Sequence, residues 1–366
     1  MNLLFIRSTT GFSGAERYHE YLFAGLKKRK DISITVFTNF RKFHDRMVEL
    51  GISSKLLYIP IHEVGTKKTL FTACLWFPYM VINYVWNIKV MEKKKKFDCI
   101  ILESTTEKIL LSPILKLFGY KVFWLEHAPM FNTNRAKIVK SLYAYAVRFA
   151  DHIIAVSRDT KHDLETHRVP KEKITVWYIG MEKSTGKKNH GKNLSIGYIG
   201  GLNEEKGIRE FLSAYSILSK ENPDLEAYIM GDGPLRRWLE WEILEKGLSR
   251  VHVLGFIDNL RRYLARVRIV FFPTKHKEGL SLAILESLSM GKLVVARDIG
   301  GNREIVIDSK TGFLFKTDDE SIKILKDILA GKKNIKNVQS NISRLLETQF
   351  SVEKQTQKFI QFFSSV

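Results

Sequence analysis

The chain has 366 residues, of which 45% are apolar and 11% aromatic; that is enough for two ordinary domains with proper cores and too apolar for a disordered chain. A formal net charge of +20 favours polyanionic surroundings, and on charge alone solvated surface lysine comes first, an anionic membrane surface second and nucleic acid last. Two cysteines, Cys74 and Cys99, exclude a disulfide framework and a C-x-x-C metal or redox motif, so the expected compartment is a reducing cytoplasm.

The first run, "MNLLFIRSTTG", reads as a strand that is too short for a signal h-region, and the mature protein is expected to start there. Five more β-branched or aromatic runs follow in the first half: "ISITVFTN", "KLLYIP", "FDCIILES", "YKVFWLEH" and "DHIIAVS". Stretches of helical period separate them, which predicts β-α-β units around a parallel sheet. Residues 69–88, "TLFTACLWFPYMVINYVWNI", break the pattern: they are uncharged and of transmembrane length, with Lys67 and Lys68 before them and Lys89 and "EKKKK" after them. A span would put the flanking strands on opposite sides of a bilayer, where they could not share a sheet. The segment is therefore expected to be a core helix, kinked or restarted at Pro78. The alternative is a helix lying in a membrane surface with Trp76, Phe77, Tyr79 and Trp86 in the interface.

Residues 181–193 are rich in glycine and lysine and almost without apolar content, and they read as a linker. The strand pattern then resumes with "LSIGYIGG", "LEAYIMGDG", "VHVLGF", "RIVFFPT" and "KLVVARD". Two successive doubly wound α/β domains place ligands at the carboxyl ends of their strands, and the helix N-termini there offer free N–H groups to a phosphate. The fourth of these strands exits into "KHKEGLSLAILESLSMG". Ser281 is the expected N-cap and Gly291 the stop of a helix. Glu278 then lies in a polar loop before that helix, and Glu286 lies within it. The final segment, "FSVEKQTQKFIQFFSSV", carries Phe359, Phe362 and Phe363 at helical spacing, as core packing requires.

Glu278 and Glu286 form an E-x7-E pair, and "EGLSLAILESLSMGKLVVARDIGGNREIV" resembles the core motif of the retaining glycosyltransferase family 4, the glycosyl transferases group 1. "IGYIGGLNEEKGIREFLSAYSIL", "AYIMGDGPLR", "VHVLGFID" and "IDSKTGFLF" follow in the family's order, and "GFSGAERYHEYLFAGL", "WLEHAP" and "DHIIAVSRDT" carry a weaker likeness in the first half. The resemblance implies a GT-B architecture, with two Rossmann-like doubly wound domains facing a deep inter-domain cleft. The expected division is 1–180 for the acceptor-side domain, 181–193 for the linker, 194–348 for the donor domain and 349–366 for a C-terminal helix packing back towards the N-terminal domain.

By the same resemblance, the activity is retaining transfer of a sugar from a nucleotide diphosphate sugar to a glycan or lipid-linked acceptor in polysaccharide or glycoconjugate synthesis. Glu278 would bind the donor sugar's hydroxyls and Glu286 the ribose, tasks that suit ionised carboxylates as pure acceptors. Lys206 would meet the diphosphate, and Gly279, Ser281 and Leu282 would offer backbone N–H groups to it. Gly14 would let the backbone approach the same phosphates, and His127 would touch the sugar near its anomeric carbon. The chain departs from the family at Gly201, where arginine is usual, and at Ser13, where a second glycine is common. No D-x-D triplet is present and no His/Asp cluster has metal spacing, so metal-independent activity with no cofactor beyond the donor is expected. A peripheral position on the inner face of the membrane follows from the implied acceptor and the charge. The rival readings are a sugar-nucleotide epimerase and a non-catalytic polyanion- or nucleic-acid-binding protein. A dinucleotide-dependent dehydrogenase is disfavoured, since no complete G-x-G-x-x-G follows a strand with an acidic residue at the expected distance.

Overall fold

The computed structural model describes residues 1–60, 64–93, 95–131, 135–183 and 194–365. Most of the expected linker, residues 184–193, lies outside the described residues. The chain divides into two compact units, Met1–Gly180 with Gln355–Val366, and Met181–Lys354.

Among the described residues of the first unit, seven parallel strands form one sheet in the order β3-β2-β1-β4-β5-β6-β7. They are β1 (Asn2–Arg7), β2 (Ser33–Thr38), β3 (Ser53–Leu56), β4 (Cys99–Leu102), β5 (Val122–Glu126), β6 (His152–Ala155) and β7 (Ile174–Val176). Both faces of the central strands are covered, so β4 and β5 are buried at every residue and read as continuous apolar runs. The chain runs outward from β1 to β3 and returns to β4 on the other side of β1. That reversal makes the carboxyl ends of β1 and β4 the switch point where such sheets bind ligands.

The second unit repeats the plan with six parallel strands, ordered β10-β9-β8-β11-β12-β13. These are β8 (Ser195–Ile199), β9 (Glu226–Met230), β10 (Val251–Gly255), β11 (Ile269–Phe272), β12 (Leu293–Arg297) and β13 (Phe313–Phe315). Its switch point lies between β8 and β11. The sequence reading does not include β7 or β13, each three residues long, and it starts β3 two residues late.

The last helix, Val352–Ser365, packs in the first unit. Phe359 lies 4.2 Å from the Trp177 ring, Phe363 5.2 Å from Phe123, and Phe362 4.7 Å from His152, centroid to centroid. The expected core helix at residues 69–88 is part of one helix, Lys67–Glu92, with Pro78 inside it. The core expectation holds for one face only: Ala73, Met80, Tyr84, Asn87 and Ile88 are buried, whereas Phe71, Leu75, Trp76, Tyr79, Ile82 and Trp86 are exposed. A helix laid on a sheet buries one stripe, and no described element covers the other.

Candidate functional site

At the switch point of the second unit, "NEEKG" forms a tight turn. Asn203 caps a short 3-10 helix, Glu204–Lys206, by accepting from the Lys206 N–H at 2.9 Å. Gly207 closes the turn at φ +77°, where a Cβ would sit 2.3 Å from the Pro273 carbonyl oxygen, so only glycine lets the turn rest on the β11 loop. The Glu205 carbonyl accepts from the N–H groups of Lys275 and His276 at 2.8 and 3.1 Å, tying the loops after β8 and β11 together. This stitching sets the Lys206 ammonium directly on the Glu278 carboxylate.

Glu278 and Gly279 are also fixed from the β12 side. The Gly301 N–H donates to the Glu278 carbonyl at 3.0 Å, and a Cβ on Gly301 would lie 1.6 Å from the Gly279 carbonyl oxygen. The helix Leu282–Ser289 starts just beyond, with Ser281 at the N-cap position. Contrary to the capping expectation, the Ser281 hydroxyl makes no cap hydrogen bond; it is buried and has no partner among the described residues. A buried hydroxyl without a partner beside the N–H groups of a helix start makes a polar surface suited to an anionic ligand. Glu286 is buried in the same helix, not spread on its surface.

The first unit brings a different set together. His127 follows β5, and its Nε2 lies 2.9 Å from Glu103 Oε2 at the end of β4. His19, on the helix Gly14–Leu26, places Nε2 2.6 Å from the other oxygen, Glu103 Oε1. Arg7, at the end of β1, lies 3.5 Å from Glu103 and 2.6 Å from Glu16, and Glu16 completes a capping box with Ser13. Burial pushes the His127 imidazole down to about 4, against the opposing pull of Glu103. Desolvation alone would raise the Glu103 carboxyl, but the electrostatic pull of His19 and the hydrogen bonds from His127 and His19 outweigh it and hold the group well below the usual carboxylate range. Neutral His127 therefore donates from Nε2 to Glu103, which leaves the Nδ1 lone pair as an acceptor. The Tyr18 ring stands edge-on to His127 at 5.1 Å, and its buried hydroxyl has no partner among the described residues.

The ligand atoms of His19, Glu103 and His127 lie within 4.8 Å of one another, a grouping that sequence spacing does not show. Contacts of 2.6 and 2.9 Å are proton-bridged distances, and the Arg7 guanidinium lies against the same carboxylate, so the group is built for hydrogen bonding more than for a cation. Gly14 begins the helix that carries Glu16 and His19, and a Cβ there would meet nothing within 4 Å. The fold itself gives no reason for glycine at that position. Sequence reasoning missed Glu103, His19, Arg7 and Tyr18, because they are joined only by the adjacency of β1, β4 and β5. For Arg7 and Glu103 the one signal is the base or acid that closes a strand run in "NLLFIR" and "FDCIILES"; Tyr18 and His19, on the helix Gly14–Leu26, have none of that kind.

Residues 12–184 match the family described as Glycosyltransferase Family 4, and residues 193–330 match the family described as Glycosyl transferases group 1. An uncharacterized glycosyltransferase of Methanocaldococcus jannaschii, MJ1178, is 25% identical over 217 residues, 58% of this chain and 59% of the relative. The Staphylococcus aureus capsular polysaccharide biosynthesis glycosyltransferase CapM is 25% identical over 191 residues, 46% of this chain and 49% of the relative. The chain thus spans less than two thirds of the length of each of these curated relatives. Anabaena HepE, solved in complex with UDP, superimposes with a TM-score of 0.82 at 19% identity over 100% of both chains, and this likeness carries the fold.

Proposed function

The chain belongs to the group 1, family 4 glycosyltransferases with the GT-B fold, and from that premise we propose that it moves a sugar from a nucleotide diphosphate sugar to a glycan or lipid-linked acceptor with retention of anomeric configuration. The observation that carries the reading is the loop cluster of the second unit, where Lys206, Glu278 and the orphaned Ser281 hydroxyl meet the start of the helix Leu282–Ser289. Free N–H groups and an ammonium suit a diphosphate, and a carboxylate suits sugar hydroxyls. Glu286 takes the ribose hydroxyls.

In the reaction, the bond from the anomeric carbon to the diphosphate breaks and a bond from that carbon to the acceptor oxygen forms on the same face. The acceptor's proton passes to the leaving phosphate oxygen. Lys206 stabilises the charge that develops on the diphosphate. His127, kept neutral in the first unit, presents its Nδ1 lone pair as an acceptor. No step calls for a divalent ion. HepE was solved with UDP and with UDP-glucose, and uridine diphosphate sugars are accordingly the first donors to try. The relative CapM is named for capsular polysaccharide biosynthesis, and we place this chain in the same kind of process, acting from the inner face of a membrane.

The test is incubation with radiolabelled nucleotide sugars and membrane-extracted acceptors, with and without EDTA, followed by product analysis. The reading predicts an α-configured product from an α-linked donor, formed equally in EDTA. A free altered sugar with no acceptor product would assign an epimerase, and salt-sensitive nucleic-acid binding with no nucleotide binding would assign a polyanion-binding protein.

A further inference from the structure

The helix Lys67–Glu92 is apolar on two opposite sides. One side lies in the core and carries Tyr84, whose hydroxyl donates to the buried Glu107 at 2.8 Å. On the other side Phe71, Leu75, Tyr79, Ile82, Trp86 and Val90 follow one another at intervals of three or four residues, as a single stripe requires at about 100° per residue. Phe71, Leu75, Ile82 and Trp86 are between 66% and 68% exposed. The stripe widens at its middle: the Trp76 and Tyr58 rings stand 5.8 and 6.3 Å from Tyr79. Tyr79 and Asn83 both donate to the Tyr58 carbonyl, at 3.2 and 3.0 Å, and hold that neighbour in place. Isolated exposed apolar residues are ordinary, but a continuous row on one helix marks an interaction surface.

Charge identifies the partner. Exposed Lys67 and Lys68 stand at one end of the stripe, and exposed Lys89, Lys93, Lys95 and Lys96 stand at or beyond the other. The helix holds no acid before Glu92. A second copy of the chain docked on this face, parallel or antiparallel, would set lysine ends against lysine ends. An acidic lipid surface satisfies both features at once, since its acyl region takes the aromatics and its phosphates take the ammonium groups. Among the described residues, no helix is long and apolar enough to cross a membrane.

We propose that the exposed face of the helix Lys67–Glu92 is a docking surface for an anionic phospholipid bilayer, with the helix lying in the plane of the interface. Phe71, Leu75, Ile82 and Trp86 enter the headgroup boundary, and the lysines at the two ends bind lipid phosphates. This gives the proposed membrane position a physical site, and it stands apart from the donor reading because vesicle binding measures the one and nucleotide binding the other.

The experiment is cosedimentation of the full chain with vesicles of phosphatidylcholine alone and of phosphatidylcholine mixed with phosphatidylglycerol. It compares the wild type, the combined variant Leu75→Ser, Ile82→Ser, Trp86→Ser, and the pair Lys67→Glu, Lys68→Glu. The wild type is expected to bind the mixed vesicles at least about ten-fold more tightly than the neutral ones, and each variant to lose about ten-fold while keeping its melting temperature and nucleotide binding. Should the combined variant fail to fold, quenching of wild-type tryptophan fluorescence by brominated lipid reads the same contact through Trp76 and Trp86. Failure of the wild type to bind either vesicle, absence of quenching, or a folded stripe variant that binds as well as the wild type would overturn the proposal. So would a stripe-dependent dimer without vesicle affinity, which would assign the face to a second copy.

Discussion

Glu103 decides what His127 is able to do. With one oxygen on His127 and the other on His19, the carboxylate fixes the ring of His127 and spends its Nε2 proton. A neutral ring held this way keeps its Nδ1 lone pair as an acceptor. The same burial has a consequence for stability. The folded value of His127 is about 4, below the ordinary value of about 6.5, so the unfolded chain binds the proton more readily. Stability from the neutral ring is full above pH ~6.5 and is lost as pH falls towards 4. His127→Gln keeps an N–H donor for Glu103 and does not titrate. Denaturant melts at pH 7 and pH 4.5 should show wild type losing about 2 kcal/mol relative to this variant on acidification; parallel loss in both proteins would place the proton elsewhere. Gly14 poses the opposite question, since its Cβ position is open. Gly14→Ala should leave unfolding within about 0.5 kcal/mol of wild type or improve it, yet weaken transfer at least about ten-fold if the diphosphate approaches there. Unchanged kinetics would remove Gly14 from the site.

At the level of elements, three loops in the second unit are held so closely that side chains are excluded from their contacts. Gly301 lies on Gly279, and Gly207 on Pro273. Gly301→Ala drives a Cβ into a carbonyl and should cost on the order of 3 kcal/mol or more in unfolding free energy; a cost below about 1 kcal/mol would show that the loops are free to part. These loops were legible in the sequence because glycine, a charged residue and a following helix recur together in "NEEKGI" and "KEGLSLAILES". The central strands were legible for a related reason, since burial on both faces writes itself as unbroken apolar runs. "ITV" and "FLF" are too short to carry that signal. The cluster around His127 was hidden because His19 and Glu103 are 84 residues apart, and only the β1-β4 adjacency joins them. The helix Lys67–Glu92 was half legible: its length and lysine flanks could be read, but two apolar faces give no period by which to tell the buried one from the exposed one.

For the whole molecule, the chain leaves the first unit at Gly180, builds the second, and returns with its last helix to the first. Phe359 is 1% exposed and packs with its ring tilted against Trp177 at the end of the first unit's own sequence. Phe359→Ala should therefore cost about 3 kcal/mol and lower the first transition of a thermal melt, whereas an unaltered melt would mean that the first unit is complete without the returning helix. Sugar transfer of the proposed kind requires the second unit to hold a nucleoside diphosphate, with Glu286 on its ribose. The direct measurement is calorimetric titration of UDP, GDP and ADP in EDTA into wild type and Glu286→Gln. One nucleotide is expected to bind wild type at about micromolar concentration and the variant about ten-fold or more weakly, as the loss of charge-assisted hydrogen bonds requires. Absence of binding by every nucleotide at millimolar concentration, or equal binding by both proteins, would contradict it.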